Sequence, residues 1–420
     1  MRDYSFLQQD PPLAGHLAII TAPLPGHLNP VQVLARALID RGWRVSVVHV
    51  DAARSFMTDP VIEFAGLPDT TEETFEDYRA TLVEPNGLGR LTRMIRATAT
   101  MTDRLLAEAP EILKRIGATA ILADAVEPAG PLIAQKLGLP YAVVVTGLPL
   151  MREADVPPPF LSWRYRPDAL GRFRNRSGYA VTDVLMRPVL RVLDARRREW
   201  NLASTVWRPR IQVAQCPQGL DYPRRRLPPD FHYGSPWRSN NAALTLPDDG
   251  RPLVFCSLGT LQGSRHRLFA IMAQACAAIG ARAVIGHGGG LSPVEEGELQ
   301  GEPLVRAFWP QAEVLRQCSA AVLHGGFNSV LDALAAGVPI VALPIAFEQP
   351  ATAARLVRLG AGRMLSPRRL SVAALADALQ DVMTKPNYRH AANAIAAEIK
   401  AGGGAASAAA AITAALASPA

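Results

Sequence analysis

The chain runs to 420 residues, too long for one ordinary core of about 100–200 residues, so two domains are expected. A composition that is 49% hydrophobic and 19% charged buries large cores and excludes a disordered or fibrous protein. The net charge of +7 is carried by arginine, with lysine only at Lys114, Lys136, Lys385 and Lys400, and it suits an anionic partner: nucleic acid, an anionic membrane surface or a phosphorylated small molecule.

Charged residues or proline interrupt every long apolar stretch, as Asp124, Glu127 and Lys136 do between Ala118 and Leu150, so no transmembrane helix is expected. The opening residues MRDYSFLQQDPPLAG lack the apolar centre of a signal peptide, and a cytoplasmic protein is expected. Cys216, Cys256, Cys276 and Cys318 lie far apart, without a CxxC or a histidine at metal-ligand spacing, and read as buried free thiols.

Residues 1–15 read as a loose tail, and 16–245 as the first domain. Leu17 to Ala22 reads as a buried strand. Asn29 is the expected N-cap of the helix that follows, Pro30 its first position and Gly42 its stop. Between them Val31, Leu34, Ala35, Leu38 and Ile39 form one apolar stripe. Val45–Val50, Ile116–Asp124 and Tyr141–Thr146 read as further strands of one parallel sheet.

From Met151 to Asp249 proline and arginine accumulate, and LPDDGRP is the expected boundary to a second domain, 246–402. There strands are expected at Leu253–Ser257, Ala283–His287, Val305–Phe308, Ala320–Leu323 and Ile340–Leu343. Residues 403–420 read as a glycine hinge and an alanine-rich helix, too weakly apolar for a membrane anchor. The fold class is α/β: two doubly wound domains with a cleft between them.

Candidate chemistry gathers at the carboxyl edges of the two sheets, where doubly wound folds bind ligands. His27, in PLPGHL after the first strand, has the chemistry of a general base toward a hydroxyl group, or else merely caps the helix. Asp124 closes a hydrophobic strand at the same edge and can hold the far nitrogen of an imidazole, or cap the following turn; Glu127 is a weaker candidate for that task. In LHGGFNSVLD a strand ends at Leu323, two glycines admit a ligand, and a helix begins at Asn328 or Ser329. Ser329 and Asp332 resemble a capping box there, and a small-residue helix N-terminus is a ready phosphate site beside His324. Ser257-Leu258-Gly259-Thr260 and Glu348-Gln349 are further loops at that edge, and Phe308-Trp309-Pro310-Gln311 offers a flat face for a nucleobase. Together these loops favour a nucleotide-sugar site. The first loop holds a single glycine rather than G-x-G-x-x-G, GHGGGLSP lacks the Walker ending, and no Asp-x-Asp marks a metal-diphosphate site.

These residues resemble the family 1 glycosyltransferases of the GT-B fold, from Gly15 to about Ala415, and within them the bacterial zeaxanthin glucosyltransferases. The resemblance is carried by ADAVEPAGPLIAQKLGLP, TGLPLMREADVPPP, CSLGTLQGSR and HGGFNSVLDALAAGVPIVALPIAFEQPATAARLV. It implies two Rossmann-like domains, an N-terminal one binding the acceptor and a C-terminal one binding UDP-sugar, and transfer with inversion. It implies His27 as catalytic base with Asp124 as its partner, and His324 gripping the diphosphate beside Gly326, Asn328 and Ser329. Asp332 takes the ribose position, where many relatives carry Glu, and Glu348 with Gln349 the sugar-hydroxyl position of an Asp-Gln pair. Phe308 takes the place of the base-stacking Trp, with Ser257, Thr260 and Gln311 also on the donor side. No cofactor or metal is implied, UDP-glucose being a co-substrate.

For the acceptor the resemblance implies a lipophilic alcohol, a carotenoid such as zeaxanthin, with a macrolide, polyketide or sterol as rivals. A GT-B-like sugar-nucleotide epimerase and a non-catalytic nucleotide-sugar sensor also compete with the transferase reading. Trp163, Tyr165 and Trp200 mingle with Arg164, Arg166, Arg172, Arg174, Arg176 and Arg196–Arg198, which reads either as a solvated surface or as a rim docking on an anionic bilayer at the inner face of the cell membrane. No nucleic-acid recognition motif accompanies the arginines.

Overall fold

A computed structural model describes residues 14–68, 72–83, 87–203, 207–239 and 244–417. Most of the expected tail, residues 1–13, lies outside the described residues, and Gly15 already opens the first strand.

The first half carries β1 (Gly15–Ile20), α1 (Pro25–Ile39), β2 (Trp43–Val50), β3 (Glu63–Leu67), α2 (Glu72–Val83), α3 (Leu88–Ile116), β4 (Ala120–Asp124), α4 (Ala129–Leu137), β5 (Tyr141–Val145), α5 (Ala169–Glu199), β6 (Gln212–Ala214) and β7 (Phe231–His232). Its strands pair in parallel in the order β3-β2-β1-β4-β5-β6-β7. Continuous apolar runs such as Leu17–Ile20 and Ala120–Ala123 suit strands covered on both faces.

The second half carries β8 (Leu253–Ser257), α6 (His266–Ala278), β9 (Arg282–Gly286), α7 (Pro293–Gly297), β10 (Leu304–Arg306), α8 (Gln311–Leu315), β11 (Ala320–Leu323), α9 (Phe327–Ala335), β12 (Ile340–Ala342), α10 (Gln349–Leu359), β13 (Gly362–Met364), α11 (Val372–Thr384), α12 (Pro386–Ala401) and α13 (Gly404–Ala417). Its sheet is also parallel, in the order β10-β9-β8-β11-β12-β13. The molecule is therefore α/β with two doubly wound sheets. In each, the strand order reverses beside the first strand, between β1 and β4 and between β8 and β11, which opens a crevice at the carboxyl edge.

Three local expectations are corrected. Helix α1 begins at Pro25, which takes the first helical turn, so Pro30 lies inside the helix and His27 in its first turn rather than in a loop. The segment Ile116–Thr119 is not strand: α3 runs to Ile116 and stops at Gly117, whose φ of 70° closes the helix in the left-handed region. Helix α9 begins at Phe327 with Gly326 as N-cap and no side-chain cap, so Ser329 and Asp332 form no capping box; Asp332 is drawn away to Arg238 and Gln311.

The chain then returns. Helix α13 packs on α1, where Ala408, Ala409, Ile412 and Leu416 join Leu28, Val31 and Leu34 in one core, and Trp43 donates its indole N–H to Thr413 at 3.0 Å. A second tie is ionic. Arg355 of α10 and Arg224 both donate to the buried Asp221, at 2.9 and 2.6 Å, and the Arg355 guanidinium lies 4.1 Å from the Tyr222 ring centroid. All four cysteines are buried and free.

Candidate active site

His27 and Asp124 arrive from the two strands that flank the first crevice, β1 through its following helix and β4 at its last residue. His27 Nδ1 lies 2.9 Å from Asp124 Oδ2, with the carboxylate fully buried and the imidazole 23% exposed. An ionised carboxylate only accepts, so Nδ1 carries the proton and Nε2 is left as the basic nitrogen. Thr21 Oγ1 donates to the same carboxylate oxygen at 2.8 Å, and Thr146 Oγ1 sits 2.7 Å from His27 Nδ1 and 3.3 Å from both Asp124 oxygens. The carboxylate is thus held in one orientation by strand-end hydroxyls. Burial on its own would lower the basicity of His27; the charge and hydrogen bond of Asp124, with the charge of Glu348, outweigh it and hold the pKa above the usual imidazole value.

Glu127 does not share this task. Its carboxyl accepts from Thr102 Oγ1 and the Ala129 N–H, both at 3.2 Å, and burial pushes its pKa up to about 7.

On the other side of the cleft, His324 follows β11 and packs between two glycines that have no room for a side chain. A Cβ on Gly259, whose φ is 73°, would stand 2.8 Å from the imidazole, and one on Gly326 would clash with it outright. His324 Nδ1 is buried without a hydrogen bond, and burial, opposed by the Ser257 backbone, lowers the pKa to about 4. Beside it α9 has no side-chain cap from its N-cap Gly326, and the Phe327 N–H that opens the helix is met by the Glu348 carboxyl, so the free N–H groups of its first turn are those after Phe327.

Around α9 the expected residues form one network. Asp332 accepts from Gln311 Nε2 at 2.6 Å, and Ser329 Oγ donates to Gln311 Oε1 at 3.3 Å. Asn328 donates to the Gly26 carbonyl at 2.6 Å and accepts from Gln215 Nε2 at 2.9 Å. Arg238 joins the halves: it reaches Asp332 Oδ1 at 2.5 Å, Gln215 Oε1 at 3.1 Å and Asn328 Oδ1 at 3.2 Å.

The remaining residues differ in what they offer. Glu348 is the N-cap of α10, half-buried, with its pKa raised by burial against the opposing charge of His27. Phe347 before it is held at φ 55°, a left-handed conformation that a bulky side chain adopts at a cost. Gln349 spends its carbonyl on the N–H groups of Ile345 and Ala346, both at 2.8 Å, leaving its amide NH₂. The Ser257 hydroxyl is committed within the fold, donating to the Gly286 carbonyl at 2.9 Å and accepting from the Gly259 N–H at 3.2 Å. Thr260 is exposed. Phe308 is exposed and its ring free, whereas Trp309 is fixed by Ile285 and stacked under Arg306. Among the described residues no cluster of His, Cys, Asp or Glu is arranged to hold a metal ion.

Sequence reasoning missed Thr21, Thr146, Gln215 and Arg238. The two threonines had a signal: each follows an apolar strand at the edge where Asp124 sits. Gln215 and Arg238 had none, because only tertiary packing brings them to α9.

Residues 294–414 match the family described as erythromycin biosynthesis protein CIII-like, C-terminal domain. The chain is 36% identical over 364 residues to a zeaxanthin glucosyltransferase of Pseudescherichia vulneris, covering 84% of this chain and 86% of that one. It is 32% identical over 402 residues to a zeaxanthin glucosyltransferase of Pantoea ananas, covering 93% of both. Among solved structures, the glycotransferase of kitacinnamycin superposes with a TM-score of 0.76 at 20% identity, over 97% of this chain and all of that one, a likeness of fold.

Proposed function

We propose, from the premise that this chain belongs to the family 1 glycosyltransferases of the GT-B fold, that it transfers glucose from UDP-glucose to the ring hydroxyls of a carotenoid of the zeaxanthin type, with inversion. The observation that carries the reading is the His27–Asp124 pair, joined through Asn328 and Gly26 to the start of α9.

In this reading His27 Nε2 takes the proton of the acceptor hydroxyl as its oxygen bonds to the anomeric carbon. The bond from that carbon to the diphosphate oxygen breaks, and UDP leaves with the electron pair. Asp124 holds the imidazole in the right tautomer and stabilises the imidazolium, which then returns its proton to solvent. The α9 N-terminus and His324 receive the growing negative charge of the diphosphate. Asp332 and Gln311 meet the ribose and Phe308 the base, while Glu348 and the free amide of Gln349 meet the sugar hydroxyls. No metal or cofactor takes part. The enzyme acts in the cytoplasm, peripheral to the inner face of the membrane that holds such an acceptor.

The test is mass spectrometry of the enzyme with UDP-glucose and zeaxanthin in liposomes. Sequential gains of one and two hexoses support the reading. UDP release without a carotenoid product overturns the acceptor, and transfer to a macrolide, polyketide or sterol then replaces it. Conversion of the sugar nucleotide with no acceptor at all overturns the transferase itself and favours an epimerase.

A further inference from the structure

Helix α5 runs for 31 residues and is buried along one side only, through Gly171, Asn175, Gly178, Tyr179 and Val189. Its opposite side carries large apolar side chains in solvent: Leu170 is 62% exposed, Phe173 69%, Val181 59% and Val184 52%. Their helical spacing places all four on one side of the helix, as two apolar pairs with Ser177 and Ala180 between them, rather than as scattered exceptions.

Arginines flank that stripe. Arg176, Arg187, Arg191 and Arg198 are exposed and make no ion pair among the described residues; helical spacing sets them along one edge of the stripe's line, Arg176 and Arg187 beside it and Arg191 and Arg198 beyond its end, past Pro188. The acidic side chains of the helix are already matched: Asp183 pairs with Arg152 at 2.6 Å, Asp194 with Arg197 at 3.3 Å and Glu199 with Arg196 at 3.0 Å. Three neighbouring arginines are occupied. Arg166 bonds Asp168, Arg172 meets Asp155, and Arg174 lies over the Trp163 ring. What remains free is an apolar ridge with a one-sided row of guanidinium groups.

We infer that this face of α5 docks on an anionic lipid bilayer, with Leu170, Phe173, Val181 and Val184 entering the headgroup–acyl boundary and Arg176, Arg187, Arg191 and Arg198 on lipid phosphates. An interfacial amphipathic helix has this pattern: aromatic and aliphatic side chains on one face and unpaired basic residues beside them. Charge complementarity selects the bilayer over a second copy of the chain, whose own α5 would bring the same unpaired arginines against these. The inference stands on this surface alone and holds for any lipophilic acceptor.

The test is co-sedimentation of the full chain with sucrose-loaded vesicles, either pure phosphatidylcholine or phosphatidylcholine with phosphatidylglycerol. Binding is expected at least about tenfold stronger to the anionic vesicles, weakening as salt rises. Replacing Arg176→Glu, Arg187→Glu and Arg191→Glu together is expected to abolish that preference. Leu170→Ser with Phe173→Ser is expected to weaken binding about tenfold at unchanged charge. Circular dichroism and UDP affinity, which none of these residues touches, report that the variants are folded. Equal binding to neutral and anionic vesicles overturns the inference, as does wild-type binding by the arginine variant. A wild-type dimer in light scattering that Phe173→Ser dissociates overturns it in favour of a second copy.

Discussion

The side-chain amide of Asn328 donates a 2.6 Å hydrogen bond to the carbonyl of Gly26, an oxygen that its own helix leaves unsatisfied because residue 30 is proline. In an uninterrupted helix the N–H of residue 30 would take that carbonyl. Pro30 therefore costs α1 one internal bond, and the bond reappears between the two halves, one residue before His27. This contact, beside those of Gln215 and Arg238, ties the start of α9 to the helix turn that carries His27.

Asn328→Ala should lower kcat/KM by about threefold to tenfold, the range of one lost hydrogen bond. Pro30→Ala supplies the missing N–H to Gly26, so in that background Asn328→Ala should cost distinctly less. A double-mutant cycle on kcat/KM checks this, and strict additivity would show that the two residues act separately.

Asp124→Asn should move the acid limb of the pH–rate profile to lower pH while lowering its plateau. In the proposed mechanism the free enzyme needs neutral His27, and the carboxylate holds the pKa above the ordinary value of about 6.5. Activity in the wild type therefore rises with pH through that raised pKa. Without the negative charge, burial pulls the imidazole down: more of it is neutral at a given pH, but it is a weaker base held less firmly. The pH dependence of kcat/KM reads both effects.

Asp221→Ala should destabilise the protein by about 3–5 kcal/mol, since it leaves the Arg224 and Arg355 cations buried without their anion. Burial opposes ionisation of Asp221, but the two arginines outweigh it and hold its pKa below the usual carboxylate range. Its contribution is thus present above the unfolded-state pKa of about 3.9 and is lost as pH falls through the lower folded value. Denaturant midpoints of wild type and variant should differ widely at neutral pH and converge only in strong acid.

Much of this was legible in the residues, and the limits were physical. Buried parallel strands such as β1, β4, β8 and β11 stand out as apolar runs, and the side chains at their carboxyl ends, Asp124 and His324 among them, fall at the crevice by topology alone. Strands β6, β7 and β13, two or three residues long, are too short to show a period. Helix α5 was hidden because its exposed side is partly apolar, with Leu170, Phe173, Val181 and Val184 in solvent, so it shows no clean polar face. The return of α13 to α1 is carried by alanines, whose weak hydrophobicity gives no address. Arg238 and Gln215 meet α9 only through packing that no local pattern encodes.

The most direct test of the account is the turnover and UDP affinity of His27→Ala, measured together by single-turnover kinetics and calorimetry. Loss of the base should lower the rate by about 10²–10⁴-fold while UDP binds within about twofold of wild type. Unchanged turnover with intact UDP binding would contradict the assignment of His27 as the base.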